Sequence, residues 1–275
     1  MSHAVTDELI ELRFHYRDWP SKRADAPDLV LLHGYTGHAR SWDAFAEAMT
    51  DRYRVLALDK RGHGETAWAP ADAYGTDDMT DDLTAFVSAM GLNDFTLLGL
   101  SMGGMVAMTY AGRRPKELKA LVIVDIGPEI VTEGADRIRQ GVRASDVFES
   151  RDAAFAAARA SNPRPPEAHH RHRVDHNLMR TEDGQWTYRY DRALRSPSTL
   201  RTRDPDAAWR ACEDIEVPTL LIRGADSDIL SPAIAERMLA TIPNARFALV
   251  EDSGHSVPLD APGGFAAAAR GFLKG

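Results

Sequence analysis

Phe95-Thr96-Leu97-Leu98-Gly99-Leu100-Ser101-Met102-Gly103-Gly104 is the stretch that governs how the rest of the chain is read. An apolar, β-prone run, Phe95 to Leu98, meets the pattern G-x-S-x-G, and a helix-prone run follows. A serine on so tight a strand-to-helix turn sits in a strained backbone conformation. Neighbours two positions to either side come too close to carry side chains. The hydroxyl is left exposed at a helix N-terminus, where the aligned peptide dipoles favour negative charge. This nucleophile elbow makes Ser101 the expected nucleophile. Alone, the pattern could be a glycine-rich turn. The strand–helix context and the further small residue Gly104 favour the elbow.

Strands and helices alternate on both sides of it. Residues 9–16 alternate apolar and polar and predict an antiparallel edge strand or hairpin. Residues 29–32 are a continuous apolar run, as in a strand buried on both faces. That run ends in His33-Gly34-Tyr35-Thr36-Gly37. A helix is expected over about 41–50, a strand over 53–58 and a loop over 59–70. Next come a helix over 76–90, the elbow strand and helix, and a strand over 118–125. Late in the chain the rhythm returns, with strands over 217–223 and 245–250 and helices over 232–241 and 263–272. Such alternation predicts a parallel sheet with helices on both faces.

Residues 128–210 break the rhythm. No convincing strand is visible there. The segment is helical in character, rich in alanine and arginine, and interrupted by prolines. It holds 15 of the 28 arginines against 13 acidic residues, about +2, while the whole chain carries −8. The expected organisation is therefore an α/β core from residues 1–127 and 211–275, with 128–210 inserted as a helical lid.

Composition narrows the function classes. Interspersed charges with a net −8 argue against nucleic acid or a membrane surface as partner. A single cysteine, Cys212, excludes intrachain disulfides and suits a reducing compartment. No stretch approaches the ~20 apolar residues of a spanning helix, and no leader pattern is visible. The expectation is a cytoplasmic enzyme acting on a small molecule as monomer or homodimer.

A serine hydroxyl is a weak nucleophile at neutral pH, so it needs a general base and a group to orient that base. Of the ten histidines, His255 is the one at the C-terminal end of a late strand, in a glycine turn. Ligands of open α/β sheets bind at those ends. The acid is expected between Ser101 and His255, since this elbow type runs Ser, then Asp or Glu, then His. Asp228, in the loop after the strand at 217–223, is preferred. Asp226 and Asp125 remain alternatives. An oxyanion hole needs two N–H donors, expected from the Met102 backbone and from Tyr35 in the loop after residues 29–32. His33 is read as a brace of that loop, or else as a pocket residue.

His33-Gly34, Asp59-x-Arg61-Gly62-His63-Gly64, Gly99-x-Ser101-x-Gly103-Gly104, Gly224-x-x-x-Asp228-x-x-x-Pro232 and Gly254-His255 follow in this order. With them the chain resembles the α/β-hydrolase-fold serine hydrolases of the esterase, lactonase and cofactor-free perhydrolase group. The resemblance implies a mostly parallel eight-stranded sheet with an antiparallel second strand, and a helical cap after the sixth. It also implies hydrolysis of a carboxylic ester or lactone through an acyl-enzyme, with no cofactor and no metal. Amide, thioester or carbon–carbon cleavage by the same triad is the alternative, as is a slow-turnover ligand receptor.

Other clusters have plainer readings. His172 and His176, four apart, could bind zinc, but arginines surround them. Asp77, Asp78, Asp81 and Asp82 fall in the first turns of a helix, where negative charge is favourable. Trp186, Tyr188 and Tyr190 alternate in a short extended stretch, either lining a pocket or anchoring the lid. The locally basic lid raises the expectation that one of its arginines grips a substrate carboxylate.

Overall fold

The structure is a computed structural model and describes residues 13–131, 134, 136, 146–195 and 204–273. Its main sheet has seven strands: β1 (Tyr16–Trp19), β2 (Asp28–Leu32), β3 (Arg54–Leu58), β4 (Phe95–Leu100), β5 (Leu118–Val124), β9 (Thr219–Gly224) and β10 (Ala245–Val250). Their order is β1-β3-β2-β4-β5-β9-β10, and only β1 runs antiparallel. Among the described residues the main sheet has seven strands, where the resemblance implies eight. The edge strand expected over 9–16 begins only at Tyr16, and positions 9–12 lie outside those described. The His15 N–H is already bound to Thr66 Oγ1 at 2.9 Å, and this takes it out of the ladder.

Helices cover both faces. The 3₁₀ turn Ala39–Trp42, α1 (Asp43–Met49) and α9 (Pro262–Phe272) pack on one face. The rings of Phe45 and Phe265 meet there at 4.8 Å. The other face carries α2 (Thr76–Met90), α3 (Met102–Gly112), α6 (Pro205–Glu213) and α7 (Pro232–Thr241). The central strands are sealed from water: Leu29, Val30, Leu31 and Leu32 are 0% exposed. This continuous burial matches their unbroken apolar sequence. Helix α7 begins as its sequence suggests, with Ser231 Oγ accepting the Ile234 N–H at 3.2 Å and Pro232 in the first turn.

The segment between β5 and α6 is not wholly helical. Alongside α4 (Arg151–Ser161) and α5 (Glu167–His176) it holds a small antiparallel sheet, ordered β6-β8-β7. Its strands are β6 (Val147–Phe148), β7 (Leu178–Arg180) and β8 (Trp186–Tyr188). Strands of two or three residues are too short to show a period of two. Gly184, at φ +83, turns the β7–β8 hairpin. Trp186 lies beneath the guanidinium groups of Arg151 and Arg180, at 5.1 and 4.9 Å. This segment has its own apolar cluster of Ala154, Phe155, Val174 and Leu178. Helix α6, which crosses residue 210, packs instead on α3, with Cys212 and Trp209 in the main core.

Candidate active site

Register brings the site to one edge of the sheet. Leu100 pairs with Val124, Val124 with Ile222, and Gly224 with Val250. The loops leaving β4, β5, β9 and β10 therefore emerge side by side at the C-terminal ends of parallel strands.

Ser101 stands between β4 and α3 with φ 53 and ψ −119. A non-glycine residue rarely adopts that conformation, and it costs about 1–3 kcal/mol. The surrounding bonds hold it there: its N–H donates to Val124 O at 2.9 Å, and its carbonyl accepts the Met105 N–H at 2.9 Å. The flanking glycines are required by close approach. A Cβ on Gly99 would collide with the Gly103 carbonyl, and one on Gly103 with the Leu32 carbonyl.

His255 lies beyond β10 and before the short helix α8 (Val257–Asp260). Ser101 Oγ–H donates to its Nε2 at 2.8 Å, and its Nδ1–H donates to Asp125 Oδ2 at 2.8 Å. A carboxylate can only accept, which fixes the proton on Nδ1 and frees Nε2 as a base.

The acid facing His255 is therefore Asp125 at the end of β5, not Asp228. Asp125 is 0% exposed and has a positive φ of 52. Its Oδ1 accepts the Gly224 N–H at 3.0 Å, and its Oδ2 accepts Ser227 Oγ–H at 2.5 Å as well as His255. The reason lies in the loop after β9, which wraps around Arg223. That guanidinium donates to the carbonyls of Leu230, Ala225 and Ser227 at 2.7, 3.1 and 3.1 Å. So held, the loop presents Ser227 to the site. Asp226 instead pairs with Arg164 at 3.0 Å, and the carboxylate that takes His255 Nδ1–H is that of Asp125. Ser227 is a residue that sequence reasoning missed. Its signal, a hydroxyl between two aspartates, is no more than a turn.

The loop after β2 lies against the nucleophile. A Cβ on Gly34 would rest 3.4 Å from Ser101 Cβ, and Tyr35 follows directly. Met102 is the first residue of α3, where a backbone N–H has no intrahelical acceptor. His33 is an internal brace rather than a pocket wall. Its Nε2 accepts the Lys60 N–H at 3.1 Å, its Nδ1–H donates to Gly34 O at 2.8 Å, and its carbonyl takes the Lys60 ammonium. Trp186 anchors the small sheet. Tyr188 stacks toward Tyr190 at 6.3 Å, and Tyr190 lies 6.2 Å from Tyr35, so this row of rings reaches the expected oxyanion loop.

The other clusters are structural. Asp82 is buried in a two-pronged pair with Arg61, and Asp81 meets Arg113 at 2.6 Å. His172 Nε2 lies 3.1 Å from Asp43 Oδ2, and His176 bonds to His172 O. Among the described residues no three metal-ligating side chains converge, and no helix is long and apolar enough to cross a membrane.

Burial sets a pH dependence. It holds His38 and His63 down to about 3, with Arg173 and Lys60 respectively as the next causes. Burial, then Lys60 and His63, also holds His33 well below its ordinary value. Unfolded, each ring takes up a proton as pH falls below about 6.5, while the folded rings stay neutral. The stability these rings supply is therefore whole above that pH and lost on the way down to about 3. Between pH 7 and 5.5 the loss should be about 1 kcal/mol per histidine. Urea titrations at the two pH values measure it; unchanged or greater stability at pH 5.5 would contradict the assignment.

The family model for the alpha/beta hydrolase fold matches residues 27–262. The chain belongs to that family and is an enzyme of its hydrolase type. It is similar to a 3-hydroxybutyrate-oligomer hydrolase of Cupriavidus necator, with 28% identity covering 89% of this chain and 87% of that one. It is also 28% identical to an esterase of Mycobacterium tuberculosis, across 90% of this chain and 83% of the relative. The solved structure of E-2-(acetamidomethylene)succinate hydrolase superposes with a TM-score of 0.86 at 24% identity, covering 95% of both chains.

Proposed function

We propose that this protein is a serine hydrolase that cleaves carboxylic esters or lactones through an acyl-enzyme. The observation that carries this reading is the unbroken chain from Ser101 Oγ through His255 to Asp125, each link 2.8 Å. Ser101 Oγ attacks the carbonyl carbon as His255 Nε2 takes its proton. Charge develops on the carbonyl oxygen, where the Tyr35 and Met102 N–H groups stabilise it. The tetrahedral intermediate collapses, and His255 gives the proton to the leaving alcohol. Water, activated by the same imidazole, releases the acid and restores Ser101. Asp125 holds the ring in the Nδ1–H tautomer and stabilises the imidazolium, while Gly224 and Ser227 hold Asp125. Similarity to an esterase favours the ester over the amide or thioester that the same groups could cleave. The segment between β5 and α6 acts as the lid.

A fluorophosphonate tests the core of this reading. One covalent group is expected on Ser101, found by intact mass and peptide mapping, and none on the Ser101→Ala chain. Absence of an adduct, or an adduct on another residue, would sink the assignment. An adduct without turnover of any short aryl ester would instead favour a ligand receptor.

A further inference from the structure

His255 stands in a loop with little structure of its own. Gly254, directly before it, has the freest backbone of any residue type, and the short helix α8 begins only at Val257. One residue ties down both sides of this loop. Asp260, the last residue of α8 and 7% exposed, accepts the Gly254 N–H through Oδ2 at 2.9 Å, and its own N–H donates to Ser256 O at 2.9 Å. The residues before and after the base are therefore both bonded to Asp260.

The other carboxylate oxygen is held from the segment between β5 and α6. Asn162 Nδ2–H donates to Asp260 Oδ1 at 2.7 Å. Asn162 opens the turn Asn162-Pro163-Arg164-Pro165-Pro166 between α4 and α5. Its carbonyl oxygen accepts the Arg164 N–H at 3.2 Å, which leaves its amide group to donate. Arg159 Nη1–H donates to Pro165 O at 2.5 Å, and three prolines with fixed φ stiffen the turn further. The same turn reaches the loop that supports the acid. Arg164 pairs with Asp226 at 3.0 Å, and Asp226 precedes Ser227, whose hydroxyl donates to Asp125. The Asp226 N–H donates to Ser253 O at 2.9 Å, and a Cβ on Gly254 would lie 3.5 Å from Arg164 Nη1. The turn is thus seated on the loop of the base and on the loop that holds the acid.

Burial pushes the Asp260 carboxyl up, and the bonds from Asn162 and Gly254 oppose it. A buried carboxylate is costly unless its oxygens are bonded, so loss of Asn162 weakens the hold on Gly254 as well. Placement matters here because Ser101 Oγ and His255 Nε2 meet at 2.8 Å, and a misplacement of about 1 Å can cost ~10²-fold in rate.

We infer that Asp260 is a positioning residue, through which the turn at 162–166 holds His255 in place between Ser101 and Asp125. This rests on the serine mechanism proposed above, in which the imidazole is the base. The clamp acts through the imidazole, so its loss falls on kcat rather than on KM.

Asp260→Ala should lower kcat about 10–10²-fold on a short aryl ester, with KM within about threefold. Asn162→Ala should lower kcat about 3–10-fold. Asp260→Asn should match it, since an asparagine there can still accept the Gly254 N–H but meets the Asn162 donor with a second donor. Asn162→Ala should add nothing in a chain that already carries Asp260→Ala, which a double-mutant cycle on kcat reads. Native kcat in Asp260→Ala, a rise in KM alone, or effects that simply multiply in the double variant overturn the proposal and leave the serine mechanism intact. Proton NMR decides independently of turnover. The Nδ1–H that His255 shares with Asp125 should give a far-downfield resonance in the native chain, broadened by exchange with water in Asp260→Ala and in Asn162→Ala. An unchanged resonance in both overturns the positioning role. Should Ser101→Ala turn the ester over at the native rate, the serine mechanism fails, and this resonance alone decides. If Asp260→Ala does not fold, Asn162→Ala and Asp260→Asn carry both measurements.

Discussion

Asp125→Asn is expected to lower kcat by about 10³–10⁴-fold, as when a triad imidazole is left in the wrong tautomer. KM should change little. The donors around this carboxylate explain the size of the effect. Gly224 N–H, Ser227 Oγ–H and His255 Nδ1–H all point at its oxygens. Asparagine has one acceptor oxygen, and its amide would face at least one of these donors with a second donor. The imidazole then gains by moving its proton to Nε2, where it can no longer take the proton of Ser101. Asp228→Asn should stay within a few-fold of the native rate, because Asp125 already takes the Nδ1–H of the ring. Steady-state kinetics on a short aryl ester measures both. The reverse ranking would return the acid to the loop after β9, and near-native rates for both would place it elsewhere.

That contrast marks where sequence stops being legible. Ser101 and its glycines can be read because the elbow is local. Each glycine answers a collision within four residues or with the adjacent strand, and the pattern repeats the geometry. His255 can be read because a histidine in a glycine turn after a late strand has few rivals. The acid is different. Asp125 and Asp228 both follow buried strands, β5 and β9, which are neighbours in the sheet, and both precede His255 in the chain. Linear order cannot say which loop delivers a carboxylate into the gap. Three-dimensional detail decides it: Arg223 gathers the carbonyls of its own loop and turns Ser227 toward Asp125. The small sheet between β5 and α6 is hidden for another reason. Its strands are held by Trp186 against two guanidinium groups and by Gly184 at the turn, not by a long alternating pattern.

Ser101→Gly is expected to abolish activity and to leave the fold more stable than Ser101→Ala leaves it. Removing the nucleophile of a triad costs about 10⁶-fold in kcat, since the remaining groups act only as a unit. The stability ranking comes from the backbone. Ser101 is held at φ 53 and ψ −119, where a Cβ is unfavourable by about 1–3 kcal/mol. Glycine adopts that conformation freely but adds about 0.4–1 kcal/mol of unfolded-state entropy to be lost on folding. The loss of one hydrogen bond to His255 removes a further ~1 kcal/mol at most. Ser101→Ala loses the same hydrogen bond yet keeps the Cβ, so it isolates the backbone contribution. Both variants should be equally inactive, and the glycine chain should unfold at higher urea than the alanine chain. If alanine is the more stable of the two, the strain at the elbow is relaxed in solution, and the turn is not held against its own preference by the Val124 and Met105 backbone bonds.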